Sequence, residues 1–333
     1  MKPTGIVGTI KKRAPNRPSG KKTTPLEIRN VLVPVDFSAP SLSAVEFALP
    51  LLKKFGAELH LVHVFAGDHP VTGLVAMPFV LPELEISRSV HRHLKEIAKK
   101  YSIEPRGKNL YVLKGQPYQA ICGLAHDINI DLIAIATRGN TGLKHLVLGS
   151  TAERVVRYSP CPVLVIRNLK VSRQPLSFRN ILVPIDFSDC SMKGLLYAKA
   201  FAEQFKSRLV LLNSVPFQYY FASDEYARYD MPRLRQYAEK AASEQMRDLV
   251  RTTAWNGLKV EASLQVGDPR QQICQRAEDS GVDLIVTSTH GTTGLKHVLL
   301  GSVAEYVVRH APCPVLVVPS HERPGVNSIK TQR

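Results

Sequence analysis

The sequence contains an internal duplication, which sets the length of its folding unit. Asn30–Ser38 reads NVLVPVDFS and recurs as NILVPIDFS at Asn180–Ser188. A second match joins DLIAIATRGNTGLKHLVLGS at Asp131–Ser150 to DLIVTSTHGTTGLKHVLLGS at Asp283–Ser302. A unit of this length is long enough to close its own hydrophobic core. The duplication therefore predicts two similar domains in tandem and argues against a solenoid of short repeats.

The repeats also place the domain boundaries. We assign the domains to residues 29–168 and 178–319, joined by a polar connection and followed by a C-terminal tail at 320–333. Residues 1–28 precede the first repeat and carry much of the net charge of +16. That segment is rich in Lys, Arg, Pro, Gly and Ser without apolar periodicity, which predicts a disordered basic tail.

The basic tail has three interpretations. A solvated extension is the simplest, nonspecific binding to nucleic acid is a minor alternative, and an organelle transit peptide is a third. The sequence has neither a long apolar run nor a secretory signal, so we expect a cytoplasmic protein without a membrane span. The five cysteines include no CxxC pair, which argues against a disulfide framework and against a zinc site.

Short apolar runs alternate with helical patterns in each copy. Runs without polar alternation are typical of parallel strands that are covered on both faces. The predicted strands of the first copy are Val31–Val35, Leu59–Val64, Leu110–Leu113, Leu132–Ala136 and Val163–Ile166. Those of the second are Ile181–Ile185, Leu209–Leu212, Val260–Val266, Leu284–Ser288 and Val315–Val318. The pattern predicts an α/β fold with two doubly wound domains, each binding ligands at the carboxyl ends of its strands.

Glycine loops follow the fourth strand of each copy. Gly139 and Gly149 bound the first loop, Gly291 and Gly301 bound the second, and each loop ends at a predicted helix start. Glycines allow close approach of an anion, and the amides at a helix N-terminus attract phosphate. The alternative is that these glycines only form turns and that the serines after them only cap a helix.

Asp36 and Asp186 follow the first strand of each copy and should face the same crevice as the loops. Such an acid could hydrogen-bond a base or ribose or help to hold a metal ion, or it could tie down its own turn. Arg138 and His290 lie beside the first loop glycine, where they either neutralise phosphate or remain solvated. No catalytic residue and no metal-ligand cluster emerges from the sequence.

These motifs resemble the universal stress protein family in both copies. The resemblance rests on VLVPVDFS and ILVPIDFS, on GNTGLKHLVLGSTAERVV and GTTGLKHVLLGSVAEYVV, and on the closing runs CPVLVI and CPVLVV. It implies Rossmann-like domains of the adenine nucleotide alpha hydrolase-like type, each a five-stranded parallel sheet of order 3-2-1-4-5. The first glycine of the family's nucleotide motif is replaced by Ala136 in one copy and by Ser288 in the other.

The resemblance implies one adenine nucleotide site in each copy, for ATP with or without Mg²⁺ or for AMP or ADP. The site residues in the first copy are Pro34, Val35, Asp36, Val64, Ala136, Arg138, Gly139, Gly149, Ser150 and Thr151. Those in the second are Pro184, Ile185, Asp186, Ser214, Ser288, His290, Gly291, Gly301, Ser302 and Val303.

The resemblance also implies pairing of Val163–Ile166 with Val315–Val318, which would make the chain an intramolecular pseudo-dimer. A homodimer and an unidentified protein partner are further expectations. The leading hypothesis is a stress-response sensor or regulator that binds adenine nucleotide without fast catalysis. The alternatives are an interaction module of the same fold with no nucleotide and a slow ATPase.

Overall fold

A computed structural model describes residues 27–65, 83–103, 109–137, 148–167, 177–216, 231–291 and 300–320. Residues 1–26 and 321–333 of the predicted N-terminal and C-terminal tails lie outside these ranges. Within them, no helix combines the length and the apolar character that a membrane crossing needs.

The first half contains five strands and four described helices. Its strands are β1 (Asn30–Pro34), β2 (Glu58–Phe65), β3 (Leu110–Lys114), β4 (Leu132–Ala136) and β5 (Val163–Ile166). Its helices are α1 (Ala39–Phe55), α2 (Glu83–Lys100), α3 (Pro117–Asp127) and α4 (Ser150–Tyr158).

The second half repeats this order of elements. Its strands are β6 (Asn180–Pro184), β7 (Arg208–Val215), β8 (Val260–Val266), β9 (Leu284–Ser288) and β10 (Val315–Val318). Its helices are α5 (Asp189–Phe205), α6 (Met231–Thr252), α7 (Pro269–Asp279) and α8 (Ser302–His310).

The strands form one ten-stranded sheet in the order β3-β2-β1-β4-β5-β10-β9-β6-β7-β8. All pairs within a half are parallel, so helices cross over both faces and the predicted doubly wound α/β class is confirmed. The halves meet where β5 pairs antiparallel with β10, with Leu164 opposite Leu316. The pairing that the resemblance implied is therefore present within the chain.

Two apolar layers enclose the sheet. Helices α1, α2, α5 and α6 supply one layer, and α3, α4, α7 and α8 supply the other. The first layer continues from one half to the other through phenylalanine rings, for example where Phe55 of α1 lies edge-on to Phe201 of α5, with ring centroids 5.3 Å apart. Both halves therefore share one core on this face of the sheet.

A polar contact ties the halves together on the opposite face. The guanidinium of Arg167, just after β5, donates to the backbone oxygens of Arg309 and Ala311 at the end of α8, at 2.6 Å for Ala311. Arg309 in turn pairs with Glu153 of α4 at 2.9 Å. A cation suits the end of α8 because helix C-termini carry partial negative charge.

The structure adds contacts at four residues near the expected domain and strand ends. Ile28, assigned to the tail, is buried in the core, and Ser320 is hydrogen-bonded to Thr289 at 3.0 Å. Val35 and Ile185, assigned to strands, lie just beyond them. Their amides still donate to the neighbouring strand, to Val62 O and Leu212 O at 2.8 Å. In each half, the backbone therefore leaves the sheet one residue after the end of the strand.

Candidate functional site

The first side of the candidate site is the turn after β1 and after β6. Oδ1 of Asp36 accepts from the amide of Ser38 at 3.0 Å, and Oδ1 of Asp186 accepts from the amide of Ser188 at the same distance. The two serine hydroxyls donate to the same oxygens. This is the turn interaction that the sequence left open as the alternative role of each aspartate.

The same turns hold a strained residue in both halves. Phe37 has φ of 64° and Phe187 has φ of 63°, in the left-handed region that bulky residues rarely occupy. Such a conformation costs about 1–3 kcal/mol and persists only where the surrounding structure enforces it. Ser38 and Ser188 then cap α1 and α5, accepting from the amides of Ser41 and Ser191. The turns thus fix the direction of the aspartate side chains.

The second side is the start of the glycine loop, which the structure describes only in the second half. Oδ2 of Asp186 lies so close to Gly291 that a Cβ on that glycine would be 2.5 Å from it. Asp186 and Gly291, both predicted site residues, are therefore brought together at the ends of β6 and β9. Arg138 and Gly139 of the first half lie outside the described residues.

The third side consists of the N-termini of α4 and α8. Gly149 and Gly301 are the N-cap residues, and their amides donate to Thr137 O at 2.7 Å and to Thr289 O at 2.8 Å. Neither cap supplies a side-chain hydrogen bond to the first turn, whereas Ser38 caps α1. Among the described residues, the first-turn amides of α4 and α8 therefore lack the side-chain acceptor that an N-cap usually supplies, as in helices that bind anions.

Close packing explains the glycine at these caps. A Cβ on Gly301 would lie 3.1 Å from Thr289 O and 3.6 Å from the Cα of His290. Neither cap has a left-handed backbone, so at Gly301 the glycine is needed for close approach and not for its conformational freedom. The residues after them, Ser150 and Ser302, are exposed and begin the helices.

The residues between β9 and the loop form a hydrogen-bonded chain. Ser288 Oγ donates to His290 O at 2.7 Å, and His290 Nδ1 lies 3.0 Å from Thr289 Oγ1 and 3.2 Å from Ser320 Oγ. These contacts hold the imidazole against Ser320, just after β10. His290 is therefore not the solvated loop residue that the sequence allowed as an alternative. Ala136, at the equivalent of Ser288, is buried and has no polar side chain to do the same.

The remaining predicted residues lie along the strand ends and the first helix turns. Ser214, near the end of β7, donates its hydroxyl to Gly267 O at 2.9 Å, and Val64 pairs with Leu113 across β2 and β3. The others are half-buried or buried residues that line these ends, namely Pro34, Val35, Thr151, Pro184, Ile185 and Val303.

Two further polar residues at this edge of the sheet were not predicted from the sequence. His63 Nδ1 lies 2.7 Å from Val35 O in the first half, and Asn213 Nδ2 donates to Ile185 O at 2.7 Å in the second. They occupy equivalent positions in β2 and β7. The signal that could have found them is a polar residue inside an apolar strand in both copies, LVHVF and LLNSV.

Three of the five cysteines are not activated nucleophiles. Burial raises the pKa of the Cys122 and Cys313 thiols to about 12 and that of Cys274 to about 11, so all three are protonated near neutral pH. Over the described ranges, no group of three or more His, Cys, Asp or Glu side chains is arranged to hold a metal ion.

Comparison with known proteins adds to this geometry. A model described as the universal stress protein family matches residues 27–167 and 177–319. A universal stress protein of Methanocaldococcus jannaschii is 32% identical over 146 residues, which is 43% of this chain and 84% of that protein. A second one from the same organism is 31% identical over 153 residues, 42% of this chain and 94% of that protein.

A solved structure resembles the chain over both halves. The crystal structure of a universal stress protein from Archaeoglobus fulgidus covers 88% of this chain and 97% of its own, with a TM-score of 0.62 and 24% identity. At this identity the likeness concerns the fold.

Proposed function

Because the chain belongs to the universal stress protein family, we propose that it binds one adenine nucleotide in each half and acts as a sensor or regulator without fast catalysis. The phosphates would lie at the N-termini of α4 and α8, and the base and ribose would lie towards Asp36 and Asp186. The nucleotide state would be passed to a protein partner. We also propose a cytoplasmic location, which the five free thiols favour.

The arrangement around Gly301 carries the proposal. Its amide donates to Thr289 O, its own residue type supplies no side-chain cap to α8, and Asp186 lies against Gly291 at the start of the same loop. An anion at the helix N-terminus and a hydrogen-bonding acid across the crevice are what a nucleotide with its sugar requires. The small residues Ala136 and Ser288, in place of glycine, leave room for this approach.

Binding without turnover fits the chemistry of the described crevice. The Asp186 carboxylate is held by its own turn, and His290 is hydrogen-bonded to Thr289 and Ser320. A general base must instead reach the proton that it removes. Mg²⁺, where it is required, would enter with the phosphates, so titrations with and without it distinguish ATP–Mg²⁺ from the free nucleotide.

A module of the same fold without nucleotide is the second candidate. The observation that favours it is the use of Oδ1 of both Asp36 and Asp186 in their own turns. In that case the aspartates are structural, and the glycines serve only for packing at the helix caps. The module would then act through its protein contacts alone.

Nucleotide release and thermal stabilisation test the proposal. Purified protein should release adenine nucleotide on denaturation or gain stability with ATP, AMP or ADP. At a hundredfold excess over Kd, one site stabilises by about 2.7 kcal/mol. Protein that releases no nucleotide and gains no stability with any of the three would contradict the proposal and favour the second candidate.

A charge variant connects any stabilisation to the proposed phosphate position. Ser302→Glu puts a carboxylate at the first residue of α8, where it suits the helix dipole but repels phosphate. The melting temperature without ligand should hold, while the stabilisation by nucleotide in the second half is lost. Ser302→Gln, of similar size without charge, is the matched control and should keep it.

A further inference from the structure

Four charged side chains meet where the two halves join. Arg309, in the last turn of α8, contacts two carboxylates through the same nitrogen, Nη2. One belongs to Glu153 of α4, at 2.9 Å, and the other to Glu305 of α8, at 3.0 Å. Arg157 of α4 also contacts Glu153, at 3.3 Å. These side chains are only 24–36% exposed, so solvent screens the contacts less than it screens fully exposed pairs.

The cluster is not symmetric, although the halves are repeats of each other. Arg157 and Arg309 are equivalent, each being the eighth residue of its helix. Arg309 reaches across the junction to Glu153, whereas the ion pair of Arg157 among the described residues is with Glu153 of its own helix. Glu153 therefore has two arginine partners, and Glu305 has one that it shares with the other half.

Both carboxylates lie close to the proposed phosphate positions. Glu153 and Glu305 are the fourth residues of α4 and α8, so each lies about 4.5 Å along the helix axis from the first residue. A phosphate at the helix N-terminus repels a carboxylate this near, because like charges raise each other's energy. The positive charge of Arg309 offsets that repulsion, so a helix that holds phosphate needs the arginine more than an empty one.

The backbone of Arg309 is fixed, while its guanidinium is shared. The backbone oxygens of Arg309 and Ala311 accept from Arg167 of the first half, at 2.6 Å for Ala311. The end of α8 is thus anchored beside α4. Because one nitrogen serves both Glu153 and Glu305, strengthening one contact weakens the other.

Resting on the proposed nucleotide binding, we propose that Arg309 couples the two sites. A phosphate at α4 draws the guanidinium towards Glu153 and leaves Glu305 uncompensated, which weakens phosphate binding at α8. A phosphate at α8 does the reverse. Coupling of binding sites is reciprocal, so each nucleotide should weaken the binding of the other by the same factor, about fivefold.

The test measures binding in one half while a charge is removed from the other. Ser302→Glu closes the second-half site and leaves a negative charge at the proposed phosphate position. In calorimetric titrations of that protein, Glu305→Gln should strengthen ATP binding to the first half about fivefold, because Arg309 is released to Glu153. Ser150→Glu closes the first-half site in the same way, and Glu153→Gln should then strengthen ATP binding to the second half.

A second substitution shows whether the effect passes through the arginine. On the Ser302→Glu protein, Arg309→Gln should weaken ATP binding to the first half, and adding Glu305→Gln should then have no effect. The gain in the presence of Arg309 should decrease from about 0.1 M to about 1 M salt, because the Debye length falls from about 10 Å to about 3 Å. Glu278→Gln, an exposed position on α7, is the matched control and should change nothing.

The outcomes separate this coupling from nucleotide binding itself. A gain with Glu305→Gln that persists in Arg309→Gln would overturn the coupling, since the carboxylate would then act directly on the first-half site. ATP binding to the Ser302→Glu protein without any gain from Glu305→Gln would also overturn it and leave nucleotide binding intact. An original chain that binds no adenine nucleotide overturns both.

Discussion

The carboxylate of Asp186 lies against the Cα of Gly291, where a Cβ would come within 2.5 Å of Oδ2. This contact joins the turn after β6 to the loop after β9 at the point where the strand order of the half reverses. Doubly wound sheets bind ligands at such a point. Because a Cβ on Gly291 would collide with the Asp186 carboxylate, adding a single methyl group at Gly291 tests whether the position of that carboxylate matters.

Gly291→Ala should displace the Asp186 carboxylate and weaken nucleotide binding in the second half. The backbone there is outside the left-handed region, so the effect arises from the contact and not from backbone strain. We expect a loss of about tenfold or more, measured by calorimetry on the Ser150→Glu protein. The control is Gly123→Ala in α3, where nothing lies within 4 Å. It should stabilise by about 0.5–1 kcal/mol without an effect on binding.

Arg167→Ala should destabilise the junction of the two halves. The guanidinium satisfies two carbonyl oxygens at the end of α8, and charged hydrogen bonds of this kind contribute about 1.5–3 kcal/mol each before solvent screening. Arg167 is half-buried, so we expect a total loss of about 1–2 kcal/mol in urea unfolding. Arg29→Ala removes only an exposed pair with Glu27 and should cost less than about 1 kcal/mol. Equal losses would show that Arg167 does not hold the halves together.

Both halves have a contact between an arginine and a tyrosine on neighbouring helices, but the helix that carries the arginine in one half carries the tyrosine in the other. Arg154 of α4 lies over the ring of Tyr118 of α3, at 5.2 Å, while Arg270 of α7 lies over Tyr306 of α8. The contact is thus kept although the residues are swapped. A double-mutant cycle with Tyr118→Leu and Arg154→Gln should give a coupling of about 0.5–1 kcal/mol. Additive losses, within about 0.3 kcal/mol, would mean that the pair is only adjacent.

His60 should make stability depend on pH. Burial lowers the pKa of its imidazole below the usual 6.5, against the opposing charges of Glu58 and Asp131. The unfolded chain therefore takes up the proton first, and stability is complete above pH 6.5 and decreases as the pH falls below it. His60→Val introduces the second-half residue, Val210, and should reduce that decrease.

Urea unfolding at about pH 7.5 and about pH 5.5 measures the effect. The variant loses the contacts of His60 with Asn30 and Tyr111 at both pH values, so only the difference between them counts. A difference that is the same in the variant and in the original chain would exclude His60 as its source.

The fold follows from local patterns in the sequence. Apolar runs without alternation placed all ten strands to within a few residues. The duplication was needed too, because it showed which runs correspond. The strand ends differ at Val35 and Ile185, which belong to the apolar runs and still donate their amides to the neighbouring strand, although β1 and β6 end one residue earlier.

The site was predicted less completely than the fold. The motifs pointed to Asp186, Gly291 and Gly301, but their contacts depend on residues that are distant in the chain. No local pattern predicts that Arg167 reaches the end of α8, since its counterpart in the second half is Pro319. The partner atoms of Asn213 and His63 are likewise set by tertiary packing, and only their polarity in an apolar strand is visible in the sequence.

The central claim is that each half binds a nucleotide at a helix N-terminus, and the number of nucleotides bound per chain tests it most directly. Calorimetric titration of the original chain should give two. Ser150→Glu and Ser302→Glu should each give one, and the double variant should give none while its unfolding remains cooperative. No binding to the original chain, or two nucleotides retained by the folded double variant, would contradict the account.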